Sequence, residues 1–516
     1  MRLIDFFDRG VALGPGRICL KDALRSVTYG EVQRRTHRIA SALLRLGLEP
    51  HRMAAVYSPN CAVAFECVLG IARAGAVWVP INARNAVAEN GYILDNCDVE
   101  VLFYHSDFEA NVAELRTQCL KIRHTICIDR QSDAAPFLEE WISDASDADP
   151  DIPGDRDSVA AILSSGGTTG RPKGVIWTNL VWDTMVANFF AAMPVGKPPV
   201  HLVIAPMTHA AGVVGLTLMA AGATQIILPH FDAEAVMDAI EREGVTHLFL
   251  PPTAIYVLLG HPDLRKRDYS SLEYFIYAAA PMSVERLKEC LDVFGPVMAQ
   301  TFGQAEAPML CTFLSPAEHQ VVGDPEKEGR LASCGRPTLL TAVEIMDDDG
   351  KILPRGERGE IVVRGNLVMP GYHKNPEATK EVSCNGWHRT GDIGMRDADG
   401  YLYIVDRKKD MIISGGFNVY PSEIEQVIWG HPAVQDCAVI GVPDEKWGEA
   451  VKAVVELKPN QTAAEAEIIQ LCKAKLGSVK APKSVEFWDL LPRSPVGKVR
   501  KKDIRERFWA GHTRSI

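Results

Sequence analysis

The chain has 516 residues, 47% hydrophobic and 23% charged, with a net charge of −11. That composition is globular, and the length allows more than one domain. The acidic balance disfavours nucleic acid as a partner, since phosphate backbones select basic surfaces. Twelve cysteines run from Cys19 to Cys472 without a Cys-x-x-Cys pair. They read as reduced, mostly buried thiols of a cytoplasmic protein, not as a disulfide frame or a zinc site. The start, Met1 to Asp8, is too acidic for a signal peptide. No apolar run nears the ~18 residues of a membrane span, and the end, Arg514-Ser515-Ile516, is not the Ser-Lys-Leu peroxisomal type.

In chain order, Ser26-Val27-Thr28-Tyr29-Gly30-Glu31 leads into an amphipathic helix with Ile39, Leu43, Leu44 and Leu46 on one side. Strands are expected at 53–57, 76–81, 101–104 and 124–128, with a helix at 62–74. This alternation predicts an α/β sheet. Residues 129–158 are polar, acidic and loop-rich, and the apolar run 159–163 then reads as a buried strand.

Ser164-Ser165-Gly166-Gly167-Thr168-Thr169-Gly170-Arg171-Pro172-Lys173-Gly174 follows. Four glycines, four hydroxyls and a lysine suit an anion: backbone N–H groups approach it closely, hydroxyls donate, and the lysine supplies charge. The alternative is a flexible turn between strands, which needs only two or three such residues. The ordinary nucleotide P-loop has Gly-Lys-Ser/Thr opening a helix. Here Val175-Ile176-Trp177 reads as a strand, so the cradle is expected between two strands.

A second sheet-like half has strands at 200–204, 224–228, 246–250, 274–277 and 297–300, with a helix at 233–243. Three of these end in small or polar residues: Pro206 to His209, Ala278 to Met282, and Thr301 to Glu306. Ligands of open α/β sheets sit beyond such carboxyl ends. From about 335 the chain turns hairpin-rich, with strands at 343–346, 359–364 and 401–405. Beyond it lie strands at 434–442, 449–457 and 485–488 and helices at 422–429 and 463–475. The fold expected is α/β: a large N-terminal domain of α/β sheets plus a β-rich subdomain, 1–406, and a small mobile α+β C-terminal domain, 407–516.

Five segments occur in the order found in the adenylate-forming superfamily: 164–174, Phe302-Gly303-Gln304-Ala305-Glu306, Trp387-His388-Arg389-Thr390-Gly391-Asp392, the run Tyr401 to Glu425, and Pro492-Arg493-Ser494-Pro495-Val496-Gly497-Lys498. With the weaker Thr28-Tyr29-Gly30-Glu31, the chain resembles AMP-forming acyl-CoA synthetases over nearly its whole length. The resemblance implies ATP, Mg²⁺ and coenzyme A. It implies that Ser165, Gly166, Gly167, Thr168, Thr169, Gly170 and Lys173 wrap the β- and γ-phosphates, and that Glu306 holds Mg²⁺ with the Ser165 hydroxyl. Phe302 stacks on adenine, flanked by Gly303 and Gln304, with Ala279 and Ala280 on the other side, where relatives often have glycine. Asp392 and Arg407 bind the ribose. Taken alone, Glu306 also fits a helix N-terminal acid, and Lys498-Val499-Arg500-Lys501-Lys502 a solvated basic face.

By the same resemblance Lys498 offsets the repulsion between carboxylate and α-phosphate. Lys409 is the hinge on which the small domain turns. Gly415, Gly416 and Phe417 meet the pantetheine of coenzyme A, although a plain turn explains the glycines equally. His209, Gly212 and Ala278 belong to the acyl pocket. Its small uncharged residues favour an apolar fatty or aryl acid over an amino acid. Three departures stand out: Gly166 for Ser/Thr, Thr178-Asn179 for Ser/Thr-His, and Ala305 for Thr. The expected activity is an ATP-dependent carboxylate–CoA ligase. The alternatives are an adenylation enzyme that passes the acyl group to a carrier protein or another acceptor, and a non-catalytic acyl-nucleotide-binding protein. Assembly as a homodimer stays open.

Overall fold

The computed structural model describes residues 1–165, 172–444, 446–494 and 497–510. The first sheet has six strands in the order His124–Cys127, Val99–Tyr104, Met53–Tyr57, Val77–Pro80, Val159–Ser164 and Gly174–Thr178. All neighbours are parallel except the last pair, which is antiparallel with Ser164 opposite Gly174. The glycine-rich segment therefore joins two antiparallel strands at the sheet's edge, as its flanks predict.

The second sheet has nine strands. Its parallel centre runs Met298–Gln304, Tyr274–Tyr277, His247–Leu250, Val200–Val203, Thr224–Ile227 and Ile18–Lys21. The carboxyl ends of these strands share one edge, so His209, Ala278 to Ala280 and Phe302 to Glu306 gather there.

One apolar core joins the two sheets through the helices Tyr29–Arg45 and Ala62–Arg73, with Ile39, Leu43, Phe65, Trp78, Phe103 and Phe249 buried in it. The helices pack closely because Gly70 carries no side chain: a Cβ there would lie 2.7 Å from the Cβ of Ile39. The Thr28-Tyr29-Gly30-Glu31 motif is a capping box. The Thr28 N–H donates to Glu31 (2.7 Å), the Glu31 N–H donates to the Thr28 hydroxyl (3.3 Å), and the buried Tyr29 hydroxyl donates to the Ala223 carbonyl (2.7 Å).

The third sheet is antiparallel, built on Ala342–Met346, Arg358–Arg364, Trp387–Arg396 and Leu402–Arg407. Its last strand ends one residue beyond 406, and the fourth sheet starts at Ile412. That sheet pairs Ile412–Ser414, Phe417–Val419, Val434–Asp444, Gly448–Leu457 and Ser484–Phe487. It packs on the helices Pro421–Trp429 and Glu465–Lys480 around Ile424, Ile428, Val439, Val451 and Val455.

This is the α/β architecture expected, with a β-rich region and a smaller α+β unit. Several helices have no counterpart in the sequence reading, among them Leu3–Leu13, Asn179–Ala192 and Ala210–Leu218. The last is buried along nearly all its length, so it lacks the polar face by which an amphipathic helix is recognised.

The buried Glu66 carboxylate of the helix Ala62–Arg73 is held by Arg25 (2.9 Å) and by Arg35 (2.8 Å) of the helix Tyr29–Arg45. Glu66→Ala leaves both cations without it and should lower unfolding stability by about 3 kcal/mol, whereas exposed Glu139→Ala should cost under about 1 kcal/mol. Denaturant melts of the two variants check this; equal losses contradict it.

Candidate active site

A cavity of about 820 Å³ opens where the first three sheets meet the small unit. Among the described residues, seven lysines and arginines line it (Lys173, Lys374, Arg389, Arg407, Lys408, Lys409 and Lys498) against three glutamates, Glu306, Glu360 and Glu381. In a chain of net charge −11, that concentration of cations marks a site for a polyanion.

The glycine-rich segment enters from one side. Its base is closed by the Ser165 N–H donating to the Lys173 carbonyl (2.8 Å) and the Lys173 N–H donating to the Ser165 hydroxyl (3.2 Å). Gly166, Gly167, Thr168, Thr169 and Gly170 lie outside the described residues. Residues 371–373 run beside the strand that follows: the Ile176 N–H donates to the Gly371 carbonyl and the His373 N–H to the Gly174 carbonyl.

Glu306 sits in the turn between the strands Met298–Gln304 and Ala307–Leu314, so it is not a helix N-terminal acid. It is buried and accepts from the Tyr372 hydroxyl (2.7 Å). Burial, then the Glu306 charge, pushes the Tyr372 phenol far up, so it remains a donor. The turn is pinned by the Trp177 indole N–H on the Ala305 carbonyl (2.7 Å) and the Met369 N–H on the Glu306 carbonyl (2.8 Å). Gly303 permits the tight hairpin: a Cβ there would lie 2.5 Å from the Met309 nitrogen. Burial pushes the pKa of His388 down, so the Gln304 amide donates to its bare Nε2 (3.1 Å). Phe302 is partly buried against the main core.

Ala279 has φ +75°, in the left-handed region. For a residue with a Cβ that costs roughly 1–2 kcal/mol, which is the physical reason glycine suits the position. Ala278 and Ala280 beside it are partly buried.

Asp392 faces Arg407 across two paired strands, with Nε to Oδ1 at 2.9 Å. Burial raises the Asp392 pKa despite the opposing charges of Arg407 and Lys498. Lys498 arrives from the small unit on a hairpin closed by Ser494 N–H to Lys498 carbonyl (2.7 Å) and Gly497 N–H to Ser494 carbonyl (2.8 Å). Gly497 has φ +84°, and a Cβ there would lie 2.9 Å from the Thr253 hydroxyl, so the hairpin docks directly on the helix Pro252–Leu259 of the large unit. Burial, then the Arg407 charge, pushes the Lys498 pKa down to about 8 while Asp392 opposes the shift. Lys498 is therefore part of the buried site and not of a solvated basic face.

His209 precedes the helix Ala210–Leu218 and pairs with the Thr208 hydroxyl (3.0 Å). Burial, then the Lys498 charge, pushes it down to about 4, so it is neutral. Gly212 is buried in the helix with its missing side chain turned onto the Met207 backbone.

Lys409 lies between two opposed anchors. Lys408 reaches Asp348 (2.6 Å) and Glu360 (3.4 Å) on the large side, while Asp410 is held by Arg505 (2.6 Å) on the small side. Burial and Arg407 lower the Lys409 pKa. Gly415 and Gly416 form the two-residue turn of the hairpin Ile412–Ser414/Phe417–Val419, with φ +57° and +82°. Gly415 has the Trp447 ring where a Cβ would be, and Phe417 is exposed. These three are not among the residues lining the cavity. Tyr372, Glu360, His388 and Lys408 have no role in the sequence reading; Tyr372 lies in a turn-rich Gly-Tyr-His-Lys-Asn-Pro stretch whose only signal is turn chemistry.

Among the described residues no three His, Cys, Asp or Glu side chains gather to hold a metal. One buried glutamate beside a hydroxyl and a polyanion cavity still suits Mg²⁺, which takes one or two carboxylates together with substrate phosphates.

The AMP-binding enzyme family model matches residues 7–373, and the AMP-binding enzyme C-terminal domain matches 423–498. The medium/long-chain-fatty-acid–CoA ligase FadD8 of Mycobacterium tuberculosis is 39% identical over 452 residues, 84% of this chain and 78% of that protein. A feruloyl-CoA synthase of Amycolatopsis sp is 36% identical over 505 residues, 97% of this chain and 98% of the relative. The structure of the amide bond synthetase McbA from Marinactinospora thermotolerans superposes with a TM-score of 0.88 at 31% identity, covering 98% of this chain and 100% of that one.

The charge arrangement fixes signs for Lys498. Its ammonium should titrate near 8. Arg407→Gln removes a like charge and should raise that value, and Asp392→Asn removes the counter-charge and should lower it. NMR of ¹³C-dimethylated lysines measures each; a shift of the opposite sign contradicts the arrangement.

Proposed function

This chain belongs to the AMP-binding enzymes, and from that premise we propose that it is an ATP-dependent carboxylate–CoA ligase acting on an apolar fatty or aryl acid. The observation that carries the reading is that Lys498 and Arg407 line one polycationic cavity, with Asp392 paired to Arg407 (2.9 Å) and the Lys498 charge felt by the neutral His209. In the first step a carboxylate oxygen of the acid attacks the α-phosphorus of ATP. The bond from that phosphorus to the bridging oxygen breaks, and pyrophosphate leaves with the electron pair. The Lys498 ammonium lies between the two anions and stabilises the charge that builds on the phosphoryl oxygens.

In this reading Ser165 to Lys173 hold the departing β- and γ-phosphates, Asp392 and Arg407 the ribose, and Phe302, Gly303, Gln304, Ala279 and Ala280 the adenine. Glu306, with the Ser165 hydroxyl, would hold Mg²⁺, which neutralises phosphate charge when bound. The acid lies near His209, Gly212 and Ala278. The relatives' names, a fatty-acid ligase and a feruloyl synthase, support an apolar acid.

In the second step the coenzyme A thiol loses its proton to solvent, its sulfur bonds to the acyl carbon, and AMP leaves. AMP is a good leaving group and a thiol of pKa about 8.5 is already nucleophilic, so no strong general base is needed. Gly415, Gly416 and Phe417 serve this step. They lie away from the cavity while Lys498 lies in it, so a small domain 407–516 that turns at Lys409 accounts for both roles. Twelve unpaired cysteines fit a reducing, cytoplasmic setting.

Lys498→Ala should cut pyrophosphate release by about 10²–10³-fold, yet convert supplied acyl-adenylate and coenzyme A to thioester at close to the parent rate. Equal loss in both half-reactions rejects this division of labour.

A further inference from the structure

Tyr372 touches two groups of the cavity that come from different sheets. Its hydroxyl donates to Glu306 Oε1 at 2.7 Å, and its ring face lies under the Lys173 ammonium, 4.8 Å from the ring centroid. Lys173 immediately precedes the first-sheet strand Gly174–Thr178, and Glu306 occupies a turn of the second sheet. Both groups line the cavity.

The tyrosine is itself held firmly. Its N–H donates to the Thr379 hydroxyl (2.9 Å), its backbone bridges Val175 two residues after Lys173, and the nearby Met369 N–H donates to the Glu306 carbonyl (2.8 Å). The side chain is buried, so neither contact is a chance surface encounter. A hydrogen bond to one carboxylate oxygen fixes the plane of the carboxylate and leaves the other oxygen, which accepts no hydrogen bond from the described residues, for a hard cation. The ring face attracts an ammonium without neutralising it, so Lys173 keeps its full charge for phosphate while its position is restricted.

We propose that Tyr372 is a positioning residue that sets the geometry of metal–nucleotide binding through two separable contacts: its hydroxyl orients Glu306 for the metal, and its ring orients Lys173 for the phosphates. The proposal rests on the nucleotide and metal assignments above.

Two substitutions separate the contacts. Tyr372→Phe keeps the ring and removes the hydroxyl, while Tyr372→Leu removes both. Titration calorimetry of the full chain with ATP, once with Mg²⁺ and once with excess EDTA, reads them without turnover. The parent should bind ATP more tightly with Mg²⁺. In Tyr372→Phe the Kd with Mg²⁺ should rise about tenfold, the range of one charge-assisted hydrogen bond, with the metal-free Kd within about twofold of the parent. In Tyr372→Leu the metal-free Kd should also rise, by about threefold or more. A Tyr372→Phe protein that keeps the parent's ratio of the two constants, or weakens both alike, overturns the proposal, the second outcome marking a merely structural role. A metal-free Kd unchanged in Tyr372→Leu overturns the ring half, and if that variant does not fold, Tyr372→Met reads the same contact. A parent that binds ATP in neither condition rejects the nucleotide assignment itself, a failure distinct from the others.

Discussion

The site depends on keeping seven like charges, counted among the described residues, around one cavity. Such a cluster repels itself, and the protein meets the cost locally. Arg407 is paired with Asp392, Lys408 with Asp348 and Glu360, and Lys374 with Asp98. At Lys498 burial and the Arg407 charge both oppose the ammonium, and Asp392 favours it. A polyanion entering the cavity supplies what the carboxylates do not. In the proposed reaction the field that destabilises the lysine without ligand is also what makes it act strongly on a bound anion, since charges in a partly desolvated site interact more strongly than in water.

The charged groups come from separate parts of the chain, so the second requirement is mechanical. The carboxyl edge of the nine-stranded sheet presents His209, Ala278 and Glu306; the edge of the six-stranded sheet presents Ser165 and Lys173; the antiparallel sheet presents Asp392. Residues 369–373 brace the first two edges. Lys498 comes last, on a hairpin whose glycine at 497 fits against Thr253. Around Lys409 the flanking ion pairs point to opposite sides, Lys408 to the large unit and Asp410 to the small one, which is where the proposed rotation between the units would be taken up.

Much of this was legible in the sequence, for identifiable reasons. Strands such as Met53–Tyr57 and Tyr274–Tyr277 are short apolar runs bounded by polar or small residues, and the helix Ala233–Glu243 has a clear amphipathic stripe. The apolar run that follows the glycine-rich segment placed that segment between two strands. The helix Ala210–Leu218 was hidden because it is apolar on every side. Tyr372 was hidden for another reason: nothing in a lone tyrosine states that Glu306, 66 positions away, and Lys173 will lie on either side of it. Ala279 shows a third limit, since its left-handed backbone is set by the turn and not by its own preference. Roles for Asp392, Lys498 and the 415–417 hairpin came from resemblance, and the geometry supplies the proximities on which those roles can be tested.

The central claim is that the arrangement with Lys498 in the cavity serves the first step, and that the small unit must leave it for the second. A disulfide between Gly497→Cys and Thr253→Cys tests this directly. A Cβ at 497 would lie 3.9 Å from the Thr253 Cβ, within the roughly 3.5–4.5 Å that a disulfide spans. The oxidised double variant should still release pyrophosphate from ATP and the acid but form almost no thioester, and reduction should restore thioester formation. Thioester formed by the oxidised protein as fast as by the reduced one would contradict the account.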